Sequence, residues 1–274
     1  MWIIAQSDAK IKPDQEGMVV KIASWNVNSL RVRLEQLIDW LHVNQPDIVA
    51  LQETKVTDAL FPLSALQDAG YQACFSGEKT YNGVALLSRQ TLDQIETCPD
   101  SWGDDQKRII RASMDQVRLI NLYVPNGSEV GSEKYRYKLQ WMRNMRDLLA
   151  QELQQHARVV VMGDFNLAPE DRDVYDPALW EGKILCSAAE REEYHGWLEL
   201  GLSDAFRLFD QDEASFSWWD YRAAGFRRNH GLRIDHMLVS EGIRQQCRGC
   251  WIDSAPRKLE RPSDHAPVMA EFVF

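Results

Sequence analysis

Residues 158–166 read RVVVMGDFN: four apolar side chains in a row, then Gly163, then a carboxylate and an amide on either side of Phe165. A short, β-branched run of this kind reads as a strand buried on both faces. Asp164 at its end is costly to bury unless a cation, a proton or a donor meets it. The same pattern recurs along the chain. VVKIASW (19–25) runs into Asn26, and DIVALQ (47–52) into Glu53. GVALLS (83–88) and VRLINLYV (117–124) are further strand candidates. RIDHMLVS (233–240) carries Asp235 within it, and PVMAEFVF (267–274) follows Asp264 and His265.

Between these runs the period changes. Leu30, Leu34, Leu37, Ile38 and Leu41 share one helical face, with Ser29 placed to act as N-cap. Tyr137, Trp141, Met145, Leu148 and Leu149 do the same behind Ser132, and 188–200 is a third, weaker helical segment. Strands alternating with helices, together with hairpin-like pairs, predict an α/β layered fold. No linker, repeat or low-complexity tract divides residues 18–274, so one domain is expected there. Residues 1–17 read as an N-terminal extension before it, with Met18 the more natural start.

Composition narrows the class. At 274 residues with 45% hydrophobic content the chain can bury a sizeable core. No run approaches the roughly 18 apolar residues of a membrane helix, and MWIIA at the start is too short for a secretory segment. Five scattered cysteines, an odd number, predict reduced thiols and a cytoplasmic location. Cys247 and Cys250 form one CxxC, but no second ligand pair follows, so two ordinary thiols are expected. The net charge of −10 argues against an indiscriminate nucleic-acid binder. It leaves room for a local basic face, for which KRIIR (107–111), KYRYK (134–138), RRNHGLR (227–233) and RKLER (257–261) are the candidates.

The polar residues at the strand ends are all oxygen donors: Asn26, Glu53, Asp164, Asn166, Asp235 and Asp264. Several such groups delivered by buried strands point to a hard divalent cation, Mg²⁺ or Mn²⁺, and to phosphoester chemistry. PSDHAPV (262–268) then gains a purpose. Its two prolines exclude helix and stiffen the segment around Asp264 and His265. An imidazole there, oriented by a second carboxylate such as Asp235, can donate to a phosphate oxygen or act as a base.

Taken together, WNVNSLR, PDIVALQETK, FPLSAL, YNGVALLSR, RIIRA, NLYVPNG, MGDFNLAP, SDAFR, FSWWDYR, GLRIDHMLVS and RPSDHAPV make the chain similar to the bacterial exodeoxyribonuclease III family. That family lies within the metal-dependent endonuclease/exonuclease/phosphatase superfamily, and the resemblance covers about residues 18–274. GDFN alone would indicate only a phosphoesterase. The resemblance implies a four-layered α/β sandwich, two central mixed or antiparallel sheets flanked by helices, forming a single catalytic domain. It implies that Glu53 binds Mg²⁺, with Mn²⁺ able to replace it, helped by Asn26 and Asp264. Asp164, Asn166 and His265 would lie close enough to share the metal site. Asp164 would position or activate the attacking water or protonate the leaving group. Asn166 would bind a phosphate oxygen, and Tyr123 would donate to the phosphate. His265, oriented by Asp235, would stabilise the transition state. Whether Asp164 or His265 is the base, and whether one metal or two act, stays open.

For DNA contact the candidates are Lys55, Arg108, Trp218, Trp219 and Arg222, the two tryptophans as a wall beside a flipped or base-free sugar. The implied activity is that of a monomeric DNA repair nuclease acting on duplex DNA. It covers 3′→5′ exonuclease, incision 5′ to abasic sites, and removal of 3′ phosphates. Its rivals are a phosphoesterase for another substrate and a non-catalytic nucleic-acid-binding regulator. Segments 170–196 and 223–231 are where the balance of activities is expected to be set.

Overall fold

The computed structural model describes residues 17–274, so all but the last residue of the expected N-terminal extension lies outside the described residues. The chain begins its first sheet with β1 (Val19–Asn26), crosses through α1 (Leu30–Asn44) to β2 (Ile48–Gln52), and passes α2 (Leu63–Asp68) to β3 (Gln72–Ser76) and β4 (Val84–Ser88). It then builds β5 (Asp93–Thr97), β6 (Ile109–Met114) and β7 (Val117–Tyr123), and crosses through α3 (Glu133–Gln155) to β8 (Arg158–Asp164). Next come α4 (Pro177–Trp180), α5 (Ala188–Leu198), β9 (Leu202–Asp204) and the short ribbon β10 (Trp218–Trp219) with β11 (Gly231–Leu232). The chain finishes with β12 (Asp235–Ser240), β13 (Cys247–Ile252) and β14 (Val268–Val273). Two six-stranded sheets result, ordered β13-β14-β1-β2-β4-β3 and β5-β6-β7-β8-β12-β9.

Alternation along the strands explains the layers. Val20, Ile22, Ile48, Ala50, Val84 and Leu86 of the first sheet meet Ile110, Leu119, Val160, Met162, Met237 and Val239 of the second. The intervening residues point outward. Trp25, Val49, Leu51, Ala85 and Leu87 pack under Leu30, Leu37, Trp40 and Leu41 of α1. On the far side Ile120, Leu122, Val159 and Val161 pack under Trp141, Met142, Met145 and Leu149 of α3 and Trp197 of α5. Each large apolar side chain fully buried this way contributes roughly 1.5–3 kcal/mol. The helix–sheet–sheet–helix sandwich implied by the family resemblance is the one observed.

Several local expectations need correction. Ser29 precedes α1, but its φ is 86° and its side chain makes no capping bond. The first N–H groups find other acceptors: Ser29 donates to the Glu53 carbonyl at 2.8 Å and Leu30 to the Thr54 carbonyl at 3.0 Å. The helix start is thereby pinned to the loop leaving β2. Ser132, by contrast, does cap α3, accepting from the Tyr135 N–H at 3.1 Å. Strands β3, β5, β6, β9 and β13 are absent from the sequence reading. β5 is exposed throughout, and β6 carries Arg111, so neither shows an uninterrupted apolar run. The basic clusters are partly absorbed into the fold, each contributing a buried cation. Arg111 pairs with Glu152, Lys138 with Glu190, and Arg233 with Asp173 at 2.6 Å and Asp204 at 2.7 Å, while Arg257 donates to the Ser263 carbonyl. Cys247 and Cys250 are free and buried on β13, and burial raises both thiols, Cys247 to about 11.

Candidate active site

Strand direction collects the polar residues at one rim. β1 and β2 are parallel, with Asn26 opposite Gln52, and β7 and β8 are parallel, with Tyr123 opposite Asp164. Both sheets therefore deliver these strand ends together. β12 runs antiparallel to β8, so its first residue, Asp235, lies opposite Asp164. The segment before β14 brings His265 to the same place, held by a bridge to Trp218.

The centre of the rim is a carboxylate pair joined by an amide. Asn26 Nδ2 donates to Glu53 Oε1 at 2.9 Å and to Asp164 Oδ2 at 2.8 Å. Glu53, Asp164 and His265 can each offer one ligand atom, all within 4.8 Å of one another. The two carboxylates of this set suit a hard cation. A tethered cation already sits against it: Lys55 Nζ lies 2.6 Å from Glu53 Oε2 and donates to Asn28 Oδ1 at 2.6 Å. Burial would raise the Glu53 carboxyl, but Lys55 and the Asn26 donor hold it below its usual value. Both Glu53 and Lys55 have positive φ, 50° and 52°, a strained backbone that the surrounding bonds sustain.

Asp164 has a different environment. Burial pushes it up, the His265 charge pulls it back, and the Asp235 and Glu53 carboxylates raise it again, to about 7. His265 faces it, Nε2 lying 3.8 Å from Asp164 Oδ2. The other ring nitrogen is 2.9 Å from Asp235 Oδ2, and Ser217 Oγ donates to that same oxygen at 2.6 Å. Burial alone would lower His265, but Asp235 and Asp164 outweigh it and raise the ring to about 10. The imidazole is thus a proton donor at neutral pH.

The amides expected as metal ligands are turned the other way. Asn26 Oδ1 accepts the Asn28 N–H at 2.9 Å, and Asn166 Oδ1 accepts from Asn126 Nδ2 at 3.0 Å. Asn166 Nδ2 is given to the Val124 carbonyl at 2.9 Å and to Asp164 Oδ2 at 3.3 Å. Both residues present N–H groups, not lone pairs, to the cluster and so orient its carboxylates. Asp264 lies outside the three-residue cluster. Its oxygens accept from Asn28 Nδ2 at 2.9 Å and Trp218 Nε1 at 3.1 Å, and Asn28 links it to Lys55 and so to Glu53.

Tyr123 is half-buried at the rim. Burial first, then the Glu53 and Asp164 carboxylates, raise its phenol well above the usual value, so it stays protonated. The Arg108 guanidinium lies over its ring, 4.7 Å from the centroid, and donates to its carbonyl at 3.2 Å. Lys55, Arg108 and Trp218 therefore all adjoin the site. Trp219 does not behave as expected. Trp219 is only 3% exposed, packed edge-on against Phe226, with its N–H given to Asn229, so its face is no wall for a sugar. The Arg222 side chain is 88% exposed and paired with Asp220 at 2.7 Å.

Sequence reasoning missed Asn28, Ser217 and Ser263. Ser263 Oγ donates to the Asn26 carbonyl at 2.6 Å and accepts the His265 N–H at 3.2 Å, joining the PSDH segment to β1. The signal was present in WNVN, FSW and PSDH, but a small polar residue beside a carboxylate has no distinctive spacing. Two large surface grooves, about 880 and 770 Å³, are lined by none of the cluster residues.

Comparison with known proteins agrees with this geometry. Residues 23–265 match the endonuclease/exonuclease/phosphatase family. The chain is 37% identical over 266 residues to exodeoxyribonuclease III of Haemophilus influenzae, covering 92% of this chain and all of that one. A structure of the 3′ phosphatase NExo from Neisseria, bound to a product DNA hairpin, superposes with a TM-score of 0.91 at 45% identity, covering 93% of this chain and 100% of that one. The AP endonuclease from Archaeoglobus fulgidus superposes with a TM-score of 0.88 at 38% identity, covering 92% and 99%.

Proposed function

The chain belongs to the endonuclease/exonuclease/phosphatase family, and from that premise we propose that it is a Mg²⁺-dependent DNA repair nuclease acting on duplex DNA. Its activities are removal of nucleotides from 3′ ends, incision 5′ to abasic sites, and removal of 3′ phosphates. The protein acts as a monomer in the cytoplasm. Among the described residues no helix is long and apolar enough to cross a membrane.

The observation that carries this reading is the line Asp235–His265–Asp164, with Glu53 joined to Asp164 through Asn26 in the same cluster. Glu53 would hold the metal, helped by Asp264, which lies outside the cluster and is linked to Glu53 through Asn28 and Lys55. When bound, the metal would supply charge neutralisation at the phosphate and at the leaving oxygen. His265, charged and buttressed by Asp235, donates to a non-bridging phosphate oxygen. Tyr123, kept protonated, donates to another. Asp164 receives the proton of the attacking water, a task suited to a carboxyl raised to about 7. Asn26 and Asn166 hold that carboxylate in place with their N–H groups. The chemistry is mostly positioning and preorganised charge, in which donors are already oriented before the phosphate arrives.

The test is a parallel assay, with Mg²⁺ and with chelator, on three duplexes: an abasic site, a 3′-phosphate and a recessed 3′-hydroxyl. Metal-dependent cleavage of at least one, abolished in Glu53→Gln, is expected. Turnover of a soluble inositol phosphate with none of the duplexes cut would assign the protein to another substrate. Tight DNA binding with no cleavage would make it a regulator.

A further inference from the structure

Lys138 is fully buried on α3, and nothing in the proposed chemistry uses it. Its ammonium has three protons and three acceptors: Glu190 Oε1 on α5, the Asn166 carbonyl at 2.6 Å and the Asn126 carbonyl at 3.3 Å. Glu190 is held in turn, accepting the Ser187 N–H at 3.0 Å and the Ser187 hydroxyl at 2.6 Å as part of a capping box that starts α5. A buried ion pair is weak evidence of stabilisation, since apolar replacements of similar volume are often as stable. What an apolar pair could not do is grip two carbonyls from different loops with a single atom.

Those loops are the ones leaving β7 and β8, which carry Tyr123 and Asp164. The first wraps over the lysine stem at Gly127, whose φ is +88° and where an added Cβ would come within 3.0 Å of Lys138 Cδ. Beyond the clamp runs a chain of oriented amides. The Ser128 N–H donates to Asn126 Oδ1 at 3.1 Å, which turns Asn126 Nδ2 toward Asn166 Oδ1. That in turn directs Asn166 Nδ2 to Asp164. Asn166 itself has a φ of 49°, in the left-handed region that asparagine adopts more readily than other non-glycine residues.

Building on the nuclease reading, we infer that Lys138 is a positioning residue for phosphodiester cleavage. By clamping the Asn126 and Asn166 carbonyls it fixes the amide chain that aims Asp164. Asn126 is the second positioning residue, acting through Asn166. Loss of the clamp lets Asp164 move without altering the surface that meets DNA. A misplacement on the order of 1 Å is enough to lower turnover about 10²-fold.

The experiment compares the wild-type chain, Lys138→Met/Glu190→Gln, which removes both buried charges, and Asn126→Ala, which leaves the ion pair intact. Each is measured for thermal unfolding and for steady-state cleavage of an abasic duplex, a 3′-phosphate duplex and a recessed 3′-hydroxyl duplex. The expected result is a kcat lowered about 10²-fold in the double variant and about 10-fold in Asn126→Ala, with KM changed less than about threefold. A folded double variant with wild-type kcat overturns the inference. If that variant does not fold, Asn126→Ala decides: reduced kcat at constant KM supports the inference and wild-type kcat overturns it. A wild-type chain inactive on all three duplexes overturns the nuclease reading, and this inference with it.

Discussion

His265 Nε2 lies 3.8 Å from Asp164 Oδ2, a cation and a carboxylate held just beyond hydrogen-bond reach. The imidazole is not free to close that gap, because Asp235 holds its other nitrogen at 2.9 Å. Asp235→Asn keeps the shape and removes the charge that maintains the imidazolium. We expect kcat to fall roughly 10²-fold with little change in KM. The ring stays protonated to about pH 10 in the native site. Without the Asp235 charge its pKa drops, so the alkaline limb of the pH–kcat profile moves to lower pH. An alkaline limb that stays in place would mean that His265 does not act as a donor.

Lys55 sits 2.6 Å from the Glu53 oxygen that a divalent ion would approach. The ammonium competes with the ion for that carboxylate and repels it. Lys55→Met is therefore expected to bind Mn²⁺ roughly three- to tenfold more tightly, read as free Mn²⁺ by electron paramagnetic resonance without DNA. Weaker binding in the variant would place Lys55 among the supports of the metal site.

Gly163 precedes Asp164 at a point where strands β7 and β8 nearly touch. An added Cβ would lie 1.9 Å from the Leu122 carbonyl oxygen, at a φ of +149°. Gly163→Ala must push the strands apart at the rim. A loss of at least about 3 kcal/mol in urea unfolding is expected, and a wild-type midpoint would contradict the close approach.

His236 points to the opposite face of β12 from Asp235. Arg233 lies 3.0 Å from its Nδ1 and the Leu167 carbonyl 2.9 Å from its Nε2. Burial, then the Arg233 charge, lowers its pKa to about 4 from 6.5. The folded state thus favours the neutral ring. Its contribution is fully present above pH 6.5 and is lost as pH falls to 4, a change on the order of 3 kcal/mol. Urea midpoints of the wild type should fall more steeply across this window than those of His236→Gln. Parallel curves would mean that His236 titrates normally.

Much of the architecture was legible because burial on both faces of a strand leaves long apolar runs, as in VVVM before Asp164 and IVAL before Glu53. Edge strands such as β5 escaped notice because exposure leaves no such run. Among site residues, Glu53, Asp164, Asp235 and His265 could be recognised as charges where charges are expensive. Asn26 and Asn166 were placed correctly at the rim, but which end of each amide faces the carboxylates depends on the Asn28 N–H and on Asn126. Trp219 looked like a binding wall because an aromatic pair reads the same in a core and in a groove. Its contacts with Phe226 and Asn229, from another segment, decide for the core.

The amino-acid sequence by itself determined which strands are buried and which acids and amides sit at their ends, since periodicity and residue chemistry are local properties. Only the tertiary structure decided that Asn26 would bridge Glu53 and Asp164, groups 27 and 138 residues away. It also decided that Lys55 would pair with Glu53 and that one buried lysine would hold the loops leaving β7 and β8. Such relations arise from strand direction and sheet packing, which bring distant strand ends to one rim, and spacing along the chain does not encode them.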